Sequence, residues 1–175
     1  LEARRKQYEH YRKSLFDSLQ ESDEGLRISI YDLFDIRNGY TPSKSNPDFW
    51  AGGEIPWFRM EDIRTNGRIL DASEQKIPIE AVKGGQQKLF PPDSYLLATT
   101  ATIGEHAWIR VPHLANQRFT SLSVKAKYRE QVDPHFLYFA LFQVDEWCKA
   151  NTRTSSFPSV DMTGLRNLKL AIPQI

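Results

Sequence analysis

The sequence predicts an α+β domain built on a twisted mixed or antiparallel sheet with short helices, preceded by the end of a long coiled-coil spacer helix. Three patterns support this class. Residues 1–20 form an amphipathic helix, the chain after it has many short strand-like segments, and one strong helix begins at Pro134. The regular strand–helix alternation of doubly wound cofactor-binding folds is missing from the sequence.

The N-terminal helix, residues 1–20, has a narrow apolar seam that predicts packing along a second long helix. Leu1, Tyr8 and Leu15 recur at intervals of seven residues, and Tyr11 and Leu19 lie on the same face. The helix begins without a capping residue, so we interpret it as the tail of a longer spacer helix. Residues 21–27 are predicted to form a hinge between this helix and the domain.

The domain itself is predicted to occupy residues 28–175. Residues 35–37 read as a strand that enters a turn at Asn38-Gly39, and residues 46–50 read as one helical turn capped by Asn46. Polar and apolar side chains alternate in two of the later segments, as they do in half-buried strands. The further predicted extended segments are residues 55–59, 75–78, 95–99, 106–110, 119–124 and 165–172.

Composition sets limits on the chemistry of the chain. Its single cysteine, Cys148, excludes an internal disulfide framework and a multi-cysteine zinc site, and we expect it to be a buried, inert thiol. The four histidines lack ligand spacing, so we expect no metal site and no cofactor. No apolar run approaches the ~20 residues of a membrane-spanning helix. The sequence therefore predicts a cytoplasmic protein without membrane contact.

One enzymatic interpretation stays open, a magnesium-dependent nuclease. Asp48, Glu74 and Lys76 loosely match the two carboxylates and one lysine that hold magnesium against a phosphodiester. The structural alternative is that Asp48 begins a helical turn and that the other two residues lie on the surface. We expect the structural alternative, and therefore no catalytic residue in this domain.

Donor-rich segments indicate recognition of DNA. A glycine turn at Gly39 is followed by hydroxyl and amine groups, which can contact phosphates. Asn116, Gln117 and Arg118 carry the groups that pair with adenine and guanine edges in the major groove, although the amides could instead hold a turn before a strand. The predicted DNA-binding residues are Tyr40, Thr41, Ser43, Lys44, Arg59, Asn116, Gln117, Arg118, Arg153 and Thr154.

The order of several motifs along the chain resembles that in the specificity subunit of type I restriction–modification systems. The tyrosine-rich helix ending and the Trp-Ala-Gly-Gly-Glu-Ile-Pro-Trp block are the more specific pieces. The motifs that carry the resemblance are Leu-Glu-Ala-Arg-Arg-Lys-Gln-Tyr-Glu-His-Tyr-Arg at 1–12, Gly-Tyr-Thr-Pro-Ser at 39–43, the block at 50–57, Ala-Thr-Ile-Gly at 101–104, Asn-Gln at 116–117 and Leu-Lys-Leu-Ala-Ile-Pro at 168–173.

The resemblance implies a subunit with two target recognition domains, each followed by a long helix. Each domain reads one half of a split double-stranded DNA sequence, and the helix pair acts as a ruler between them. Methyltransferase (modification) and restriction subunits carry out the chemistry. We therefore expect a non-catalytic reader of one half-site, bound to those subunits and, through the spacer helices, to the other half of its own subunit. Two alternatives stay open: a recognition module of a fused restriction endonuclease/methyltransferase, and a protein-assembly module without its own DNA affinity.

Overall fold

The computed structural model describes residues 2–21, 25–153 and 158–173. It confirms the predicted α+β class, with mixed sheets, short helices and an N-terminal helix of 20 residues. Two residues of the predicted sites, Leu1 and Thr154, lie outside the described residues. None of the helices in the described ranges has the length and hydrophobicity needed to cross a bilayer.

The described residues form five α-helices and twelve β-strands, joined by short 3₁₀ turns. The helices are α1 Glu2–Glu21, α2 Ile30–Leu33, α3 Met60–Asn66, α4 Pro134–Ala150 and α5 Met162–Asn167. The strands are β1 Leu26–Ser29, β2 Phe34–Asn38, β3 Ile55–Phe58, β4 Ile69–Leu70, β5 Lys76–Ile77, β6 Ser94–Ala98, β7 His106–Ile109, β8 Leu114–Ala115, β9 Phe119–Val124, β10 Thr152–Arg153, β11 Ser159–Val160 and β12 Lys169–Ile172.

A five-stranded sheet of order β2-β9-β6-β7-β4 forms the centre of the domain. Its strands are antiparallel except at one edge, where β4 runs parallel to β7. A three-stranded sheet places β3 between β5, which is antiparallel to it, and β8, which is parallel. The remaining strands form the antiparallel pairs β1–β12 and β10–β11.

The central sheet is buried on both faces, so the prediction of half-buried strands was wrong. Tyr95 and Leu97 of β6 join the core formed with α4, whereas Leu96 and Ala98 join a second core with β3 and α3 on the opposite face. Polar residues on these strands suggested that one side of the sheet faces solvent. In the structure they form hydrogen bonds with one another. The Ser94 and Ser123 hydroxyls are 2.8 Å apart, and their burial is stabilised by this pairing.

Helix α4 closes one core, as its apolar pattern predicted. Asp133 caps it by accepting a hydrogen bond of 2.8 Å from the Phe136 backbone N–H, and Pro134 occupies its first turn. Cys148 on this helix is fully buried, which confirms the expected buried thiol. Burial, together with the nearby Asp145 carboxylate, raises the pKa of Cys148 to about 12 and makes the reactive thiolate scarce.

Two local predictions were wrong. The chain does not turn at Asn38-Gly39 but continues extended, and the Tyr40 N–H donates to the Ala115 carbonyl at 2.9 Å. Gly39 is required there because a Cβ atom would overlap the carbonyl oxygens of Ala115 and Asn116. The predicted extended segment 165–172 is also divided, since α5 continues to Asn167 and β12 begins only at Lys169.

Helix α1 packs against α4 through Phe16, which the seam prediction did not include, and through the seam residue Tyr8, whose ring centroid lies 6.5 Å from that of Phe139. Phe16 is buried and its ring centroid lies 5.4 Å from that of Phe136. The seam residues Tyr8, Tyr11 and Leu15 are 50%, 64% and 68% exposed. The packing of the seam against a second helix therefore stays a prediction. The hinge at residues 21–27 also stays a prediction, although its last two residues, Leu26 and Arg27, belong to β1.

Candidate nucleic-acid interface

Four segments that are distant in sequence meet at one end of the central sheet, which we call the loop end. They are the segment 39–45 after β2, the turn 116–118 between β8 and β9, the loop 99–105 between β6 and β7, and residues 151–153 and 158–161 around β10 and β11. Backbone hydrogen bonds tie them together. The Gly39 N–H donates to Phe119, the Thr99 N–H donates to Arg118, and the Val160 N–H donates to Thr99, at 2.9, 3.0 and 3.0 Å. Three of the segments with predicted DNA contacts are thus brought to the same end of the sheet, and Arg59, which precedes α3, lies outside these segments.

Within the loop end the structure brings two predicted residues into direct contact. The Thr41 hydroxyl donates a hydrogen bond to the Gln117 side-chain oxygen. Gln117 is exposed, and this bond fixes the orientation of its amide, leaving the Nε2 group free to donate outward. The adjacent Ser43 hydroxyl lies 2.8 Å from the Ser45 hydroxyl and is also exposed.

Asn116 has a structural role in the same turn. Its side-chain oxygen accepts a hydrogen bond of 3.0 Å from the Arg118 N–H, and its own N–H donates to the Phe58 carbonyl at 3.1 Å. This is the turn-holding alternative that the sequence left open. The consequence is that the Arg118 side chain is held at the tip of a fixed turn, immediately before β9.

Two predicted cations are available to a ligand. Arg118 and Lys44 are exposed, and neither side chain forms a hydrogen bond or ion pair with any residue that the structure describes. A free guanidinium can donate two parallel hydrogen bonds to a planar acceptor, and a free ammonium is a mobile point charge. The loop end therefore presents two cations that form no ion pair with any described acidic side chain.

The polar groups of three other predicted residues form hydrogen bonds within the protein. The Tyr40 hydroxyl donates to the Ala81 carbonyl at 2.7 Å and accepts from the Lys83 N–H, and partial burial raises its pKa. Arg59 donates to the Glu74 carboxylate at 2.7 Å. Arg153, in β10, donates a hydrogen bond to the Asp161 carboxylate at 2.9 Å. The contact of these three residues with DNA stays a prediction. The hydrogen bonds that they form within the protein are those of residues that position the neighbouring segments.

Two residues of the nuclease interpretation have structural contacts of their own. Glu74 is paired with Arg59, and Asp48 lies in the 3₁₀ turn Pro47–Trp50, where its N–H donates to the cap Asn46 at 3.1 Å. Within the part of the chain that the structure describes, no three Asp, Glu, His or Cys side chains come together as a metal-ligand group. The structural alternative for these residues is the one that the contacts support.

Sequence reasoning did not include the loop 99–105 among the candidate residues, although the loop lies at the centre of the loop end. Its motif at 101–104 entered only as part of the resemblance. The signal in the sequence is weak, because threonine and alanine are common in any strand-connecting loop. The structural signal is much stronger: Ala101 has a φ of 64°, a conformation unusual for a residue with a side chain.

Comparisons with known proteins agree with the geometry. A family model described as type I restriction modification DNA specificity domain matches residues 27–175. The chain is 54% identical over 161 residues to the specificity subunit of the type I restriction enzyme EcoprrI from Escherichia coli, covering 92% of the chain and 39% of that subunit. It is 30% identical to the specificity subunit of the type I restriction enzyme MjaIX from Methanocaldococcus jannaschii, covering 82% of the chain and 33% of that subunit.

A solved structure shares the fold. The crystal structure of the HsdS subunit from Thermoanaerobacter tengcongensis aligns with a TM-score of 0.63 at 12% identity, over 98% of this chain and 43% of that one. The chain thus spans well under half the length of the relatives it matches. The family match over residues 27–175 and the 54% identity confirm the resemblance drawn from the motifs. The chain belongs to the family of type I restriction-modification DNA specificity domains.

Proposed function

We propose that this domain is a non-catalytic reader of one half of a split double-stranded DNA target, and that its loop end is the DNA-binding surface. One observation carries the proposal. Segments that are distant in sequence, such as 39–45 and 116–118, converge at one end of the sheet, and Arg118 and Lys44 form no side-chain hydrogen bond or ion pair with any described residue. Charged groups on a folded surface are available to phosphates and base edges when the protein itself does not pair them.

The side chains of the loop end divide into two chemical groups. Arg118 and Gln117 are held by a rigid turn before β9, which suits hydrogen bonds to guanine and adenine edges in the major groove. Lys44 and Ser43 lie on the irregular segment after β2, where a flexible amine and a hydroxyl suit contacts to the phosphate backbone. The expected division of labour is sequence choice from the first group and affinity from the second.

We further propose that a second long helix, from the other half of the subunit, covers the exposed seam of α1. Tyr8, Tyr11 and Leu15 border an apolar groove of ≈ 550 Å³ between α1 and α4, whose other walls include Phe136 and Phe139. Exposed aromatic and aliphatic side chains in such a groove would be stabilised by an apolar helix face. Leu19 also lines this groove, in keeping with its place in the seam.

The proposal assigns chemistry to other subunits. A methyltransferase subunit and a restriction subunit of the same system would act on DNA that this domain positions, in the cytoplasm. A fused enzyme and an assembly module without DNA affinity are the competing functions. Magnesium-dependent cleavage by this chain alone would favour the fused enzyme, and an absence of DNA affinity even at low salt would favour the assembly module.

The test uses a full-length specificity subunit that carries this domain. Methylome sequencing of cells that express the subunit with its modification partner identifies the split target. Fluorescence anisotropy on that target and on random DNA then compares the wild type with Arg118→Ala. We expect a clear loss on the target and little change on random DNA. Equal affinity of both proteins for the target would contradict the proposed surface.

A further inference from the structure

The loop between β6 and β7 contains a strained backbone position at its exposed tip. Ala101 has a φ of 64°, in the left-handed region where a Cβ atom is unfavourable, and its side chain is exposed. The strain is local, because the Thr102 N–H donates to the Thr100 carbonyl at 2.8 Å in a very tight turn. A residue keeps such a conformation only where the surrounding structure holds it there, and such residues are concentrated at binding sites.

Both ends of this loop are fixed. The Ala98 N–H donates to the Glu105 carbonyl at 2.8 Å, and the Gly104 N–H donates back to the Ala98 carbonyl at 3.1 Å. Gly104 also lies directly on α4, because a Cβ atom at that position would overlap the Asp145 carbonyl oxygen. The strained tip therefore stands on a rigid base and does not belong to a long, adaptable loop.

The tip lies between two segments of the loop end. On one side, the Thr99 N–H donates to the Arg118 carbonyl at 3.0 Å. On the other side, Thr100 forms an antiparallel bridge with Ser159. Thr100 and Thr102 are half-exposed, and their hydroxyls form no hydrogen bond to any residue that the structure describes.

We infer that the tip Thr100–Ala101–Thr102 contacts base edges in the DNA half-site, with the two hydroxyls and the alanine methyl as the reading groups. This inference rests on the proposed function and extends it to a loop outside the predicted site. Threonine hydroxyls donate to or accept from base edges, and small methyl groups contact the methyl of thymine. The strained turn keeps the tip narrow, so that little backbone freedom is lost on binding.

The experiment replaces each hydroxyl by a methyl of the same shape in the full-length subunit, as Thr100→Val and Thr102→Val. Because the hydroxyls have no partner among the described residues, the Tm should stay unchanged. Affinity for the methylome-defined target should fall at least fivefold for one or both variants, and affinity for random DNA should not change. Thr65→Val on α3 is the matched control, since Thr65 is exposed and unbonded among the described residues, and it should alter neither affinity.

A second arm addresses the backbone. Ala101→Gly accepts the same φ without strain but also admits many other conformations, so the tip should lose order. We expect target affinity to fall severalfold while the Tm does not fall. Unchanged target affinity in all three tip variants, or an equal loss on target and random DNA, would overturn the inference. Arg118→Ala is measured in parallel: if it alone loses target affinity, the tip inference fails and the proposed DNA surface stands, whereas no loss in any variant refutes both.

Discussion

The interior of the central sheet and its loop end both carry polar side chains, but the two regions differ in what those side chains bond to. In the interior, the Ser94 and Ser123 hydroxyls are 2.8 Å apart, and His106 bonds to the Asp145 carboxylate at 2.8 Å. At the loop end, Arg118 and Lys44 have no side-chain partner among the described residues. The interior polar groups are therefore committed to the fold, whereas these two cations of the loop end are available to a ligand.

This difference separates the free energy of folding from the free energy of DNA binding within one small domain. A buried polar group that loses its partner costs stability, because water cannot replace the lost bond. An exposed and unpaired cation costs almost nothing to remove from the folded protein, so any penalty must appear in binding. Substitutions in the two regions should consequently produce opposite patterns in thermal melting and in DNA affinity.

The largest effect is expected at Asp145, a buried residue that bonds to two polar side chains, Arg68 and His106. Its carboxylate accepts hydrogen bonds from Arg68 and His106, each at 2.8 Å, and it is almost completely buried. Asp145→Ala should lower the free energy of unfolding by about 3–5 kcal/mol, because it leaves two polar partners without an acceptor. Urea denaturation followed by circular dichroism measures this loss.

The neighbouring residue on α4 is the control. Glu146 forms an exposed ion pair with Lys149 at 2.9 Å, so Glu146→Ala should cost no more than about 1 kcal/mol. In the Asp145 variant, the ratio of target to random DNA affinity should be preserved in the fraction that stays folded. A variant that kept its stability but lost that ratio would contradict the separation between interior and loop end.

The second effect depends on pH and arises at His113, in the core on the opposite face of the sheet. The ring is fully buried between Phe58 and Phe90, and burial lowers the pKa of His113 to about 4. Because the unfolded chain binds this proton near pH 6.5 and the folded protein does not, stability is lost as the pH falls from about 6.5 to about 4. The expected loss is roughly 3 kcal/mol over that range.

The measurement compares the pH dependence of the free energy of unfolding in the wild type and in His113→Gln. Glutamine cannot be protonated, so the variant should have a flatter profile between pH 6.5 and 4, even if its stability is lower throughout. Other groups contribute equally to both profiles, and the difference isolates the histidine. Parallel profiles would show that His113 does not titrate differently in the two states.

The same contrast explains how far the fold could be predicted from the sequence. Helix α4 was predicted because its 17 residues show a regular apolar face, whereas α3 and α5 are short and have atypical signals. Arg59 precedes α3, and Asp62 within the helix completes the cap by accepting from the Arg59 N–H at 2.8 Å. Helix α5 contains Gly164, which is needed because a Cβ atom would overlap the Trp147 side chain.

The sequence predicted which segments form the candidate site, but it did not predict which of their side chains are bonded within the protein. The sequence places donor-rich groups at 39–45 and 116–118, and sheet topology brings those segments together. Whether a cation is free depends on partners that sequence patterns do not identify: Arg59 meets Glu74, 15 residues away, while Arg118 meets no described acid. The strain at Ala101 likewise follows from the fold, since nothing in the local residues requires it.

The third prediction tests the loop end through Arg118. Arg118→Ala should reduce affinity for the cognate half-site by about 1–3 kcal/mol, with little effect on random DNA or on the Tm. Arg118→Lys keeps the charge but cannot donate two parallel hydrogen bonds, so it should leave non-specific binding unchanged and still lose the preference for the target. If alanine lowered cognate and random affinity equally, Arg118 would be a phosphate contact. Its position at the tip of the turn would then carry no sequence information.

The smallest expected effect is at Lys44, and it is distinguished by its salt dependence. An exposed ammonium near the phosphate backbone releases about one counterion on binding, so Lys44→Ala should weaken binding to all sequences alike and reduce the slope of log K against log[salt] by roughly one. Lys127, an exposed lysine just beyond the opposite end of β9, provides the matched control and should leave the slope unchanged. The comparison of slopes is sharper than a comparison of affinities at one salt concentration, because only a charge that lies on DNA alters the number of counterions released. An unchanged slope for Lys44→Ala would place the segment after β2 outside the DNA interface and leave the turn at Arg118 as the part of the loop end that binds.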